Sequence, residues 1–346
     1  FDREKELKEL EICSRSGSPL ILCLGIRRIG KTSLLKVFLN ESGLPGIYID
    51  VRKLSEHGYS KAGLYKLLSE SLTGISRFKN IAERLKSIKG ISIGQFSVEL
   101  DWRRGSSITS ILEKFDEYAE SRGDVSLVIV DEAQGLRYLR GHGKLDFRQI
   151  IAYSYDNLRK VKFVLSGSEV GLLYGFLGFD NYYSPLYGRV RDEIVVERFS
   201  RETSIEFLRA GFREAGLNVP EEVMEESVEA FDGIPGWLSF YGYRVVRKGR
   251  FDITEVVEEA SKVALSELLK LRSYSELYPH LLRAIAEGYE EWKGIKRTVE
   301  AWTGRTLSDQ TIYNCLNRLI DMSILTKKEG KYKFLDPIYR EAARKL

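Results

Sequence analysis

The chain is poor in the residues that build disulfide and metal frameworks. Its 346 residues include three cysteines, and Cys13, Cys23 and Cys315 lie far apart with no Cys-x-x-Cys pair. An odd, scattered set of this kind argues against a disulfide scaffold and for a reducing, cytoplasmic setting. Three histidines, His57, His142 and His280, are too widely spaced for metal-ligand spacing, so no zinc site is expected. No apolar run approaches the roughly 18 residues of a membrane span. The opening residues do not read as a signal peptide, and no membrane association is expected. There is no internal repeat and no low-complexity segment. The net charge of +4 is too small to point to nucleic acid through bulk charge alone.

What remains is an ordinary globular composition, 43% hydrophobic and 30% charged, long enough for two or three domains. Its chemistry starts at Gly25-Ile26-Arg27-Arg28-Ile29-Gly30-Lys31-Thr32, which fits G-x-x-x-x-G-K-[ST], the phosphate-binding loop of nucleoside triphosphatases. Glycine at 25 and 30 permits backbone conformations that a side chain forbids. The amides of the loop, through Arg28, Ile29 and Gly30, then form a nest for phosphate oxygens beside a helix N-terminus. Lys31 reaches the β- and γ-phosphates, the Thr32 hydroxyl ligates Mg²⁺, and Ser33 opens the helix behind them. An apolar run, Pro19 to Leu24, precedes the loop and a helix-like run follows it, which is the strand-loop-helix order the motif requires.

The periodicity predicts strands at 20–24, 46–51, 125–130, 161–165 and 194–196, with helices between them. Those helices fall at 59–72, 75–88, 108–119, 145–158 and 169–177, and period-two alternation over 91–100 predicts an exposed strand or hairpin. Strands alternating with helices mean a three-layer α/β domain with a mainly parallel sheet over 1–199. Helices then take over. Segments 200–215, 221–231, 237–247 and 254–271 form a small helical domain over 200–274. Three helices (277–288, 294–303, 308–322) and a hairpin turning at Glu329-Gly330 form a winged helix over 275–346.

Other candidate residues sit at strand ends. Asp131 closes the apolar run Val125 to Val130, where an aspartate supports Mg²⁺, and the adjacent Glu132 is placed to activate the attacking water as general base. Ser166 and Ser168 end the next strand, where small polar groups sense the γ-phosphate. A Ser-Gly-Ser turn capping the following helix is the plainer reading of the same residues. Arg189, in a Gly- and Tyr-rich loop, is a candidate γ-phosphate contact, in cis or from a neighbouring subunit. Arg27 and Arg28 pair with a lid or the nucleotide, or are simply solvated.

With these motifs placed, the chain resembles the archaeal ATPase family in the STAND branch of the AAA+-related P-loop ATPases. The resemblance rests on Phe1-Asp2-Arg3-Glu4-Lys5-Glu6-Leu7, on the Arg-Arg pair inside Gly25 to Leu35, on Val130-Asp131-Glu132-Ala133-Gln134, on Leu165-Ser166-Gly167-Ser168 and on Gly233-Ile234-Pro235. It implies a five-stranded sheet of order 5-1-4-3-2. It also implies ATP or ADP as ligand, with Phe1 and Arg3 against the adenine and Pro235 packing from the helical lid. Adenine rests on the resemblance, since no Asn-Lys-x-Asp motif for guanine is present. The expected activity is Mg²⁺-dependent ATP hydrolysis that drives a conformational switch. The alternative is an ATP-regulated protein that binds duplex DNA through its winged helix, where residues 276–346 hold 13 Lys and Arg against 10 Asp and Glu. Winged helices also serve as packing modules, which leaves a protein partner open.

Overall fold

A computed structural model describes residues 1–73, 84–94, 97–105, 107–139 and 145–346. Strand β1 (Leu20–Leu24) shows why the central sheet is covered on both sides. All five residues are buried, and alternation sends Leu20, Leu22 and Leu24 to one core and Ile21 and Cys23 to the other. Burial pushes the Cys23 thiol up to about 12, so it is an inert core side chain. After β1 come β2 (Gly46–Asp50), a hairpin of β3 (Ile91–Ile93) and β4 (Val98–Leu100), β5 (Ser126–Asp131), β6 (Val161–Gly167) and β7 (Asp192–Val195). Five of these strands pair in parallel in the order β2-β5-β6-β1-β7. Numbered among themselves, they give the expected order 5-1-4-3-2.

Helices α1 (Glu4–Ser16) and α2 (Lys31–Glu41) cover one face through Leu10, Leu34, Leu35 and Phe38. The opposite face carries α3 (Leu54–His57), α4 (Lys61–Thr73), α5 (Ile108–Arg122), α6 (Phe147–Asn157) and α7 (Val170–Leu177). Most of the helix expected over 75–88 lies outside the described residues, as does His142.

The helical region follows as α8 (Arg201–Glu214), α9 (Glu221–Phe231), α10 (Pro235–Lys248) and α11 (Ile253–Lys270). Ser200 caps α8, its Oγ accepting from the Thr203 amide at 3.1 Å. The winged helix is α12 (Leu277–Ala286), α13 (Trp292–Thr303), α14 (Asp309–Asp321), β8 (Leu325–Lys328) and β9 (Lys331–Phe334). Its turn places Glu329 and Gly330 at φ +51° and +79°, the left-handed pair that matches the twist of a tight hairpin. A last helix, α15 (Pro337–Ala343), was not foreseen. Asp336 caps it through the Ile338 amide, and the buried Ala342 and Ala343 let it close against α11.

The two regions expected at 200–274 and 275–346 share one apolar cluster. Leu238, Tyr241, Ala264 and Leu268 pack in it together with Leu281, Leu316, Ile338 and Ala342. The winged helix also touches the sheet domain. The Val170 amide donates to Ser323 Oγ at 3.0 Å, and a Cβ on Gly171 would lie 2.6 Å from the Asp321 Cα. Among the described residues no helix is long and apolar enough to cross a membrane.

Because of the shared core, damage in the winged helix should be felt in the lid. Leu281→Ala empties a fully buried site and should cost about 2–5 kcal/mol in chemical denaturation. It should also speed amide hydrogen exchange across 253–270; unchanged exchange there would mean that the two regions are energetically separate.

Candidate functional site

Strand order positions the site. β1 lies between β6 and β7, and the loop that leaves its C-terminal end turns over the sheet edge into α2. In an open parallel sheet that edge is where ligands bind. Gly30, at φ +98°, adopts a conformation that favours glycine, and a Cβ on Gly25 would lie 2.7 Å from the Val196 carbonyl oxygen. Ile29 puts its side chain into the core and leaves its backbone on the cavity wall. The loop and α2 enter a cavity of about 700 Å³, roofed by Pro235, Gly236 and Ser239 of α10 and Glu267 of α11. Arg28, Ile29, Gly30, Lys31, Thr32, Ser33, Glu132 and Pro235, all expected at a nucleotide site, line this one space.

Lys31 bends back on its own loop, donating to the carbonyls of Gly25 at 2.7 Å and Ile26 at 2.9 Å. Burial lowers its pKa, against the pull of Glu132. Thr32 Oγ1 donates to Asp131 Oδ2 at 2.7 Å. Tyr48 donates to the same oxygen, and Ser166 donates to Oδ1. Asp131 is fully buried, so its charge is held by hydroxyls from α2, β2 and β6. Thr32 and Asp131 are a hard oxygen donor set of the kind Mg²⁺ takes.

Glu132 sits at φ +54°, a left-handed conformation uncommon outside glycine. Its Oε2 accepts from Gln134 Nε2 at 2.6 Å, Ser168 Oγ at 2.7 Å and the Ser168 amide at 3.3 Å. All three bonds fall on one oxygen, and the residue lines the cavity. Ser166 has a different place from the one expected. It is fully buried beneath the cleft, bonded to Asp131 and accepting from the Glu132 amide at 3.2 Å, and it does not line the cavity. It positions the acidic pair, and Ser168 is the serine on the wall.

Arg189 is also a correction. It forms a two-pronged pair with Asp156, one bond at 2.8 Å, and stacks 4.8 Å from the Tyr155 ring centroid. Both partners lie at the end of α6 that leads into β6, the opposite end of the sheet from the cleft. The residue reaches no phosphate in its own chain.

The opening segment lies beside the loop. Arg3 donates to the carbonyls of Ile29 at 3.1 Å and Glu197 at 2.8 Å and lies 4.7 Å over the Phe199 ring. Phe1 packs edge-on against Phe199 and Phe207 in a second cavity of about 390 Å³. That cavity meets the first at Ser239, which lines both.

The two loop arginines are tied to the lid. Arg28, at φ +64°, bonds Glu267 of α11 through both carboxylate oxygens, stacks 4.1 Å over Trp237 of α10, and shares Glu267 with the Tyr339 hydroxyl of α15. Burial opposes the charge on Glu267, but the bonds from Arg28 and Tyr339 win and hold its carboxyl below the usual range. Arg27 bonds Glu169 at 2.8 Å and lies 3.5 Å from Glu267. The Gly236 amide donates to the Arg28 carbonyl at 2.9 Å. Sequence reasoning missed Tyr48, Gln134, Arg137, Glu267 and Tyr339. Only the polar residues just beyond Glu132 carried a local signal.

The fold and this loop define a P-loop nucleoside triphosphatase architecture with a winged helix. Residues 1–239 match the sequence model described as an ATPase domain predominantly from Archaea, and the chain belongs to this archaeal ATPase family. Residues 272–335 match the model of the MCM protein C-terminal winged helix-turn-helix domain. The Walker-type ATPase of Pyrococcus abyssi is similar at 38% identity, over 99% of this chain and 96% of that one, with a TM-score of 0.85. The ORC2 protein of Aeropyrum pernix, in its ADPNP-ADP complexes, shares the fold at 14% identity over 99% of this chain and 92% of that one, TM-score 0.58. No curated protein matches.

The lid contact can be tested sterically. A Cβ on Gly236 would lie 2.6 Å from the Arg28 Cβ and 3.0 Å from its carbonyl oxygen, neither of which can swing away. Gly236→Ala should therefore destabilise the chain by about 1–3 kcal/mol in chemical denaturation and speed hydrogen exchange in 26–32. A variant as stable as the parent, with unchanged exchange, would contradict the tight seating of α10 on the loop.

Proposed function

We propose that the protein is an ATP-hydrolysing switch whose lid and winged helix respond to the nucleotide in the cleft. The carrying observation is the juxtaposition of Glu132, held on one carboxylate oxygen by Gln134 and Ser168, with the phosphate loop whose Thr32 bonds Asp131. Lys31 leaves the carbonyls of Gly25 and Ile26 to bind the β- and γ-phosphates. The loop amides take the remaining phosphate oxygens. The free oxygen of Glu132 orients a water and accepts its proton as it attacks the γ-phosphorus; the bond from phosphorus to the β–γ bridging oxygen breaks, and ADP leaves. Ser166 keeps Asp131 and the Glu132 amide in register during this step. Thr32 and Asp131 would hold Mg²⁺, which supplies charge neutralisation at the phosphate oxygens. The adenine side falls to the cavity beside Phe1 and Arg3, in keeping with the family resemblance. The STAND-branch placement belongs to this reading, as does the conformational output: Arg28, Glu267 and Tyr339 tie the loop to the helical region and the winged helix.

A second reading, DNA binding, is favoured by one observation. Lys327, Lys328, Lys331 and Lys333 of the wing are all exposed, as are Gln310, Thr311, Tyr313 and Asn314 on α14. Only the C-terminal end of α14 is docked on α7. The reading predicts a salt-dependent shift of duplex DNA that is lost when the wing lysines become glutamate; no shift at low salt would sink it.

For hydrolysis, calorimetry with ADP and ATP and a phosphate-release assay decide. Lys31→Ala should abolish nucleotide binding. Glu132→Gln should bind as the parent does and lose about 10²–10⁴-fold in turnover. A Glu132→Gln variant that hydrolyses at the parent rate would remove the general-base assignment.

A further inference from the structure

The cleft contains a cation that neither nucleotide motif accounts for. Arg137 lies on the turn Ala133–Tyr138, directly after Glu132. That turn is tightly seated: the Gly135 amide donates to the Glu132 carbonyl at 3.0 Å, and a Cβ on Gly135 would lie 2.8 Å from Val51 Cγ1. The Arg137 guanidinium is fixed in its plane. Its Nη2 donates to the Tyr138 hydroxyl at 2.6 Å, and its centre lies 4.4 Å from the Tyr138 ring centroid. Tyr138 is itself braced edge-on by Tyr59, at 5.5 Å between centroids.

The other nitrogen has only a long ion pair. Nη1 is buried and has no hydrogen-bond partner among the described residues, and its nearest anion is Glu169 Oε2 at 3.6 Å. A buried donor without a close hydrogen bond leaves part of its desolvation unanswered. The second oxygen of Glu169 accepts from Arg27 of the phosphate loop at 2.8 Å. One carboxylate therefore stands between two guanidinium groups, one from each side of the cleft. Carboxylate and phosphate oxygens are alternative partners for the same forked donor.

We infer that Arg137 contacts the γ-phosphate in cis, taking a phosphate oxygen where it now faces Glu169, and stabilises the charge that develops there during hydrolysis. This rests on the reading that the loop binds a nucleoside triphosphate. The γ-position follows from its neighbours. Arg137 shares its wall with Glu132, which would orient the attacking water, and with Ser168, which holds Glu132, whereas the loop amides would surround the β-phosphate. Glu169 is then a stand-in anion that keeps Arg137 and Arg27 in place between turnovers. The contact adds a donor where charge builds up and leaves the diphosphate product untouched.

The test compares ligands that differ by one phosphate. ADP and a non-hydrolysable ATP analogue, adenylyl imidodiphosphate, are titrated with Mg²⁺ into wild type, Arg137→Ala, Arg137→Lys and Glu169→Gln, and phosphate release is followed in parallel. In Arg137→Ala, ADP affinity should stay within about twofold, and analogue affinity should fall about tenfold or more, as for loss of a charged hydrogen bond. Turnover should fall about 10³-fold, the range of a transition-state arginine. Arg137→Lys keeps the charge without the fork and serves the same comparison should the alanine variant not fold. Glu169→Gln should bind the analogue at least as tightly as wild type. If ADP and analogue weaken together in both Arg137 variants, Arg137 is a structural pin for Tyr138 and the inference is overturned; if neither weakens, it is overturned as well. A wild type that binds neither ligand would instead remove the nucleotide reading on which it rests.

Discussion

The Asp131 carboxylate is the constraint on which the site depends. It is fully buried, and transfer of a carboxylate out of water costs several kcal/mol unless the charge is answered. Three hydroxyls bond it, Thr32 at the start of α2, Tyr48 on β2 and Ser166 on β6, and the Arg52 guanidinium lies 3.8 Å away. Each hydroxyl belongs to a different element, so the carboxylate fixes the phosphate loop, the edge strand β2 and β6 relative to one another. Ser166 extends the order by one residue, because its oxygen also receives the Glu132 amide. The left-handed backbone at Glu132 is held by that bond and by the grip of Ser168 and Gln134 on its side chain. The strain sits where the reading above places the reacting water, as backbone strain at functional sites often does.

A second charge network closes the cleft from above. Arg27 and Arg28 leave the loop on the side facing the helical region, and Glu169 and Glu267 receive them. Burial penalises the charges on Arg27, Arg28 and Glu267 taken singly, but their mutual pairing outweighs it. A phosphate chain entering the cleft brings negative charge into a site already neutralised by carboxylates. Carboxylate and phosphate oxygens are alternative partners for these guanidinium groups, so under the proposed switch a bound nucleotide would compete for the arginines that tie the loop to α11 and α15. The lid and winged helix share one apolar cluster, so in that proposal a change in those ties would reach both as a unit.

Much of the sheet domain was legible in the sequence because its signals are local. The loop motif lies within eight residues, and Asp131-Glu132 ends an unbroken apolar strand. The wing turn carries Glu329-Gly330. The lid contacts were not legible. Arg28 meets residues 239 and 311 positions away, and no periodicity links Glu267 or Tyr339 to a loop so distant in the chain. Helix α15 was missed because its seven residues are too few to show a helical period clearly. The shared core of the lid and winged helix was hidden for a related reason: each apolar stripe reads the same whether it packs within its own segment or against the next.

The two arginines show where topology could have sharpened the reading. Arg189 was attractive as a cation in the loop after the sensor strand, but it lies three residues before β7. In a parallel sheet the residues that lead into a strand lie at the N-terminal edge, a full strand length from the ligand edge. Five residues of a strand span roughly 16 Å, farther than an arginine side chain reaches. Arg137, by contrast, follows the end of β5 by six positions, and a short tight turn has no room to leave the ligand edge. Direction along the strand, rather than proximity to a motif in sequence, decides which cation can face the phosphates. By that criterion Arg137 faces the cleft, and Arg189 could meet a nucleotide only in another copy of the chain.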